Sequence, residues 1–225
     1  MRQHGLVPLP SDPDPLDAGP LDAGPLDAGP FGPWLDRMVE SLAGRADTDV
    51  PCGSCVGCCS SRQFVHVEPD EHDALAHIPP ELRFPAPGLP PGFVVLPYDE
   101  QGRCPMLGAD GCTIYEHRPR TCRVYDCRVL TAAAVEPDAD QPLIAERVRR
   151  WRFQVADTDR ERFEAVRATA RVLREPSAHP DGRVPTRASQ LAAMAVGLHR
   201  LAMRDGHAVA PTAVAVRVEL SRRRG

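Results

Sequence analysis

From residue 141 onward the apolar positions recur with helical spacing. Leu143, Ile144, Val148, Trp151 and Val155 share one face, Asp157, Thr158 and Asp159 interrupt it, and Phe163, Val166, Ala170 and Leu173 line a second helix. Thr186 is placed to cap a third helix, striped by Leu191, Met194, Leu198 and Leu201 and ending near Gly206. Such stripes are core and need no cofactor to explain them. Residues 214–220 alternate instead, the pattern of an edge strand. Nearer the start, Trp34, Leu35, Met38 and Leu42 predict a short amphipathic helix that packs on the domain after it. Residues 64–68 and 93–96 read as short strands, with Ala74, Leu75 and Ile78 on a helix between them that Pro79 and Pro80 stop. A proline-rich loop fills 79–92, and a turn at 99–102 leads to Cys104. Thr113 and Glu116 stand in capping-box relation, and Pro119 suits the first position of a helical turn carrying Cys122 and Arg123.

Residues 1–33 have no such pattern. LDAGP occurs three times in succession between Leu16 and Pro30, and a proline every fifth residue opposes both helix and ladder. With so little apolar surface the segment is expected to be a disordered tail. The start of the chain has no apolar run suited to a signal peptide, and no segment reaches the ~18 apolar residues of a membrane span. The expected setting is the cytoplasm, without a membrane partner. Lysine and asparagine are absent and all 27 basic residues are arginine, the codon bias of a GC-rich bacterial genome. The net charge of −4 hides an asymmetry: residues 1–140 carry 10 Arg against 22 Asp and Glu, and 141–225 carry 17 against 9. Mutual attraction of the two parts accounts for this better than nucleic-acid binding does.

The chemistry lies in the eight cysteines, which fall in two windows. Cys52, Cys55, Cys58 and Cys59 sit within PCGSCVGCC; Cys104, Cys112, Cys122 and Cys127 follow in a second stretch. Steps of three let Cys52, Cys55 and Cys58 present sulfur to a common centre, with Gly53 and Gly57 expected to take conformations that Cβ-bearing residues avoid. In a reducing compartment, clustered thiols point to metal before disulfide. Zinc takes four ligands in a tetrahedron, for which the adjacent pair Cys58 and Cys59 is awkward. An iron–sulfur cluster is the rival: Cys52, Cys55 and Cys58 fit a CxxCxxC run, and Cys104 precedes Pro105. Neither window makes a good site alone, so the two are expected to close on one another. Arg118 and Arg123 are placed to offset thiolate charge and to donate to sulfur as cofactor-binding residues; the plain alternative is surface pairing with Glu116 and Asp126. His66 and Glu68 form HxE near PCxxC, but in the reverse of the zinc-deaminase order. His72, His77 and His117 are scattered. No phosphate loop, nucleophile elbow or HExxH is present, and no catalytic residue is assigned.

PCGSCVGCC followed by CPMLGADGCTIYEHRPRTCRVYDC resembles the YkgJ-type cysteine-cluster family, described as a zinc- or iron-chelating domain with a CxxCxxCC signature. The likeness covers residues 52–127 and rests on the eight cysteines together with Pro105, Ile114, Tyr115, Arg118, Pro119 and Arg123. It implies metal or iron–sulfur binding. Some relatives are linked to lysine methylation of flagellin; no methyl-donor motif accompanies the resemblance here.

The sequence therefore predicts an α+β protein: a leader over 1–33, a short helix and linker over 34–49, a small cysteine-rich metal-binding domain over 50–130, and an antiparallel helical region over 141–225. Its expected function is chelation of a 4Fe–4S-type cluster or of zinc through the two windows. The alternative is a metal-dependent enzyme, redox or protein-modifying in the manner of a methyltransferase-related activity.

Overall fold

The computed structural model describes residues 24–48, 50 and 54–223. The chain enters as strand β1 (Leu26–Pro30) and turns directly into helix α1 (Phe31–Leu42). A small sheet follows, from β2 (Val65–Val67), helix α2 (His72–His77), β3 (Phe84–Pro85) and β4 (Val94–Leu96), with β4 central and antiparallel to both neighbours. A tight hairpin, β5 (Leu107–Gly108) with β6 (Gly111–Cys112), leads to two short helices, α3 (Arg120–Val124) and α4 (Arg128–Ala133). Then come α5 (Pro142–Arg150), β7 (Trp151–Gln154), α6 (Arg160–Val172), α7 (Ala188–Leu198), the hairpin β8 (Met203–Arg204) with β9 (His207–Ala208), and α8 (Ala213–Arg222). None of the described helices is long and apolar enough to cross a membrane.

Two main apolar cores result, beside a small third cluster of Ala165, Ala168 and Ala202. The larger joins Phe31, Trp34, Leu35 and Met38 of α1 to Val129 and Leu130 of α4, Ile144 and Val148 of α5, Val166 of α6, Leu191, Val196 and Leu198 of α7, and Val216 of α8. The smaller collects Val67, Ala74, Ile78, Leu96, Met106 and Ile114 beneath the three-stranded sheet. Helix α4 follows Cys127 directly and buries Arg128, Val129, Leu130, Ala132 and Ala133. The helical core therefore takes in the last residues of the expected 50–130 unit.

The third helix of the expected region, α7, has Arg187 rather than Thr186 at its N-cap and ends at Leu198 rather than near Gly206, and the structure departs from the expected pattern in four further places. The third LDAGP copy, inside the expected tail, is a strand: β1 pairs in parallel with β7, and Ala28 is buried. Its fit is local as well as long-range. Asp27 Oδ1 accepts from the Gly29 backbone N–H at 2.8 Å, Gly29 takes φ +81° at the irregularity in the ladder, and Arg128 donates to the Ala28 carbonyl at 3.2 Å. What separates this copy from the other two is the sequence after it. Phe31 packs edge-on against Phe153 and Phe163, with centroids 5.5 and 4.8 Å away, and Trp34 lies 4.6 Å from Phe153. Burying such rings contributes several kcal/mol, on the order of 2–3 each, which offsets the poor propensity of the strand. Residues 1–23 lie outside the described residues.

The second departure follows from the first. The expected helix through Val155 stops at Arg150, because Trp151 and Phe153 take up strand β7 opposite β1. The region from 141 is thus interrupted by a strand and a hairpin. Third, residues 214–220 belong to helix α8, whose cap is Thr212 accepting from the Ala215 backbone N–H at 3.2 Å; Val216 alone on the helix is buried. Fourth, the capping box does not form. Thr113 Oγ1 donates instead to the Met106 carbonyl at 3.0 Å, which closes the β5–β6 hairpin, and residues 115–117 make a single tight turn. Pro119 precedes α3 rather than opening it.

Candidate metal centre

Cys55, Cys58, Cys59, Cys104, Cys112, Cys122 and Cys127 line one cavity of about 480 Å³, with Arg118, Arg123, Tyr125, Ile144 and Arg147 also in its wall. Cys52 lies outside the described residues. The seven described cysteines are unbridged. Each arrives from a different local structure. Cys58 and Cys59 open a one-turn helix over residues 58–60, Cys112 ends β6, Cys122 sits in α3, and Cys127 immediately precedes α4.

Backbone bonds bring the windows together. The Cys104 N–H donates to the Cys59 carbonyl at 2.7 Å, and the Arg62 N–H to the Gly102 carbonyl at 3.0 Å. Upstream of the first window, the Thr48 N–H donates to the Arg123 carbonyl at 3.1 Å, and Arg123 Nε pairs with Asp47 at 3.1 Å. Thr121 Oγ1 donates to the His66 carbonyl at 2.7 Å and ties α3 to the sheet. Gly57 is buried against Ile144 of α5, so the helical region forms part of the wall. Its φ of −54° is helical, however. A Cβ built there would meet Cys55 Sγ and Ile144 at 3.5 Å, an ordinary contact. The expectation that Gly57 needs a conformation closed to other residues is therefore wrong; a short one-turn helix suffices to turn the chain.

The thiols perturb one another. Cys122 is pushed up to about 12, first by burial and then by the neighbouring thiols of Cys58, Cys104 and Cys112, with Arg118 acting in the opposite sense. Cys104 is raised by burial first and then by Cys112 and Cys58. Cys58 is raised well above the ordinary thiol value, chiefly by its contact with the Cys59 thiol, 3.9 Å away. Because Cys58 itself is solvent-exposed, that contact carries more weight than burial. Cys58, Cys104, Cys112 and Cys122 thus share one electrostatic neighbourhood drawn from both windows. Cys58, Cys104 and Cys122 are disfavoured as thiolates until a cation arrives, which is the setting in which metal binding and proton release are coupled.

Two sulfurs already accept hydrogen bonds. The Gly57 N–H points at Cys55 Sγ at 3.4 Å, and Trp151 Nε1 donates to Cys127 Sγ at 3.3 Å. Arg118 stacks its guanidinium 3.6 Å over the Tyr115 ring and leaves Nε buried without a partner. Tyr125 Oη is also buried, with Gln63 as its polar neighbour and no hydrogen bond formed. Arg123, by contrast, is engaged with Asp47 and the Arg118 carbonyl. The donor set fits a thiolate-bound metal: soft sulfur ligands, N–H groups directed at sulfur, and unused donors in the wall. Tyr125 and Trp151 were not singled out from sequence. Tyr125 stands two residues before Cys127, which is a readable signal, whereas the reach of Trp151 to Cys127 is set by tertiary packing. His66 is held in β2 and is not part of the cavity wall.

Residues 51–139, which contain all eight cysteines, match the CxxCxxCC family model, described as "Putative zinc- or iron-chelating domain". No curated protein and no solved structure matches the chain. The family match supports metal binding by this segment, with zinc and iron both admitted.

Proposed function

We propose that this protein holds an iron–sulfur cluster, rather than a single zinc ion, in the thiol cavity, with Cys58, Cys104, Cys112 and Cys122 at the centre of the ligand set. The observation that carries this reading is the spacing of the sulfurs. Four thiolates around one zinc at ~2.3 Å stand roughly 3.8 Å from each other. Among the described residues no three cysteine sulfurs lie within 4.8 Å of one another. The close pair, Cys58 and Cys59 at 3.9 Å, comes from adjacent residues. Thiols distributed around a cavity of about 480 Å³ suit a group that itself spans several ångströms.

Bound there, a cluster would supply one-electron transfer or a Lewis-acidic iron. The chain's own contributions are plainer. Partial burial shields Cys122 from water, Arg118 offsets charge beside it, and the N–H groups of Gly57 and Trp151 donate to the sulfurs of Cys55 and Cys127. The orphaned donors Arg118 Nε and Tyr125 Oη favour a second reading, in which the cavity also receives an anionic or carbonyl-bearing substrate and the protein is an enzyme.

Anaerobic purification with iron, zinc and acid-labile sulfide analysis tests the first reading. Iron with matching sulfide and absorbance near ~400 nm is the expected result for thiolate-ligated clusters. Colourless protein with stoichiometric zinc overturns the cluster and keeps chelation; folded, metal-free protein overturns both.

A further inference from the structure

A second group of ligand-type side chains stands outside the thiol cavity. Asp73 and His77 lie four residues apart on α2 and share a face. Opposite them is His117, from the turn at residues 115–117. A carboxylate oxygen of Asp73 and one ring nitrogen from each histidine lie within 4.8 Å of one another, the one such group of three among the described residues. The two imidazoles stack face to face, 3.4 Å between centroids and 3° from parallel. Asp73 serves both: its carboxylate is 2.9 Å from His117 Nδ1 and 3.7 Å from His77 Nδ1, and its backbone carbonyl is 2.9 Å from His77 Nδ1.

Helix pairing alone accounts for one contact, between Asp73 and His77. It does not account for His117, which is 44 residues away in sequence and brings its ring flat against His77. A divalent cation would replace the protons shared between the carboxylate and the imidazoles, the two rings turning out of their stack so that an in-plane nitrogen of each faces it. We propose that Asp73, His77 and His117 form a second metal site, separate from the thiols, for a divalent ion of the zinc, nickel or copper type. Two imidazole nitrogens and a carboxylate oxygen are the donor set these ions prefer, and water completes the shell. The hydrogen bond from His117 already holds the Asp73 carboxyl below its ordinary range, so the oxygen ligand is ionised. Occupancy would pin α2 to the stretch between Cys112 and Cys122.

The proposal concerns different residues and a different ligand chemistry from the thiol centre, and it stands whichever metal the thiols hold. The test is equilibrium dialysis of the protein as purified against micromolar free zinc, with metal counted per chain and thiols counted by alkylation. Wild type should hold one zinc more than His77→Gln/His117→Gln, with the same number of protected thiols in each. Asp73→Asn should keep the thiols protected and weaken the additional zinc by about tenfold or more. Equal zinc in wild type and the double variant overturns the site, as does an Asp73→Asn variant of unchanged affinity. Loss of thiol protection together with the zinc also overturns it, because the histidines would then be supporting the cysteine site instead of binding metal themselves.

Discussion

Cys122 concentrates the electrostatics of the cavity. Burial and three neighbouring thiols raise it to about 12, against an ordinary value of 9.0. The folded state therefore favours the protonated thiol. That contribution to stability is complete below the unfolded value and is lost as pH rises from there toward about 12. Metal-free protein should lose melting temperature across that alkaline window, and metal-free Cys122→Ser should lose less; superimposable curves of melting temperature against pH would refute the assignment. Metal loading runs the other way with pH, since each thiol must release its proton, so apparent affinity should rise with pH. In the metal-loaded protein Cys122→Ser should lower bound metal and increase protease sensitivity. A different residue ties α1 to the start of α4 within the larger core. Asp126, fully buried at its side chain, accepts from Trp34 Nε1 at 2.9 Å and pairs with Arg128 at 2.8 Å. Asp126→Ala removes the carboxylate that answers the buried guanidinium charge, and a loss of about 3–5 kcal/mol in denaturant unfolding is expected. A loss below about 1 kcal/mol would mean that Arg128 finds other compensation.

At the scale of elements, β1 and the one-turn helix after Gly57 make opposite predictions. Strand β1 carries Ala28 into the core and leads Phe31 into the aromatic cluster. Removing residues 1–33 should therefore lower the melting temperature substantially, whereas removing residues 1–23, which leaves β1 entire, should change it little. Equal melting temperatures for the two truncations would show that β1 adds nothing. Gly57, with helical φ and room for a methyl group, should accept Ala at a cost under about 1 kcal/mol and with metal content unchanged. Loss of metal in Gly57→Ala would show that the wall there is tighter than 3.5 Å contacts imply.

The whole molecule couples a thiol-lined cavity to a helical body through short connections. Cys127 abuts α4, Trp151 reaches Cys127 from β7, and Ile144 of α5 packs on Gly57. Among the described residues, the larger apolar core includes none from the first cysteine window. Metal removal should consequently act unevenly. Chelation should open the segment from Ser54 to Tyr125 to limited proteolysis while α6 and α7 stay protected, because metal-binding free energy is folding free energy and the apolar core of that segment is the smaller of the two. Simultaneous cleavage throughout the chain would show that the two parts unfold as one.

Several of these features were readable from residue order alone. The thiol windows are written in residue type and spacing, because a thiol is supplied by Cys whatever the fold. The faces of α1, α6 and α7 are written in helical period, because amphipathic burial repeats locally. Strands β2 and β4 and the helix after Glu71 follow from the same local rules. Partners distant in sequence were decided by the tertiary structure. The third LDAGP copy is a strand because β7 and Phe163 are there to receive it. Trp151 leaves a helical pattern for the same pairing, and Val214 to Leu220 are helical because a single buried valine anchors α8. The meeting of Asp73 with His117, and of the two thiol windows with each other, likewise has no local signature. Spacing along a chain specifies which groups can share a turn, whereas only the packing of both cores sets which turns meet.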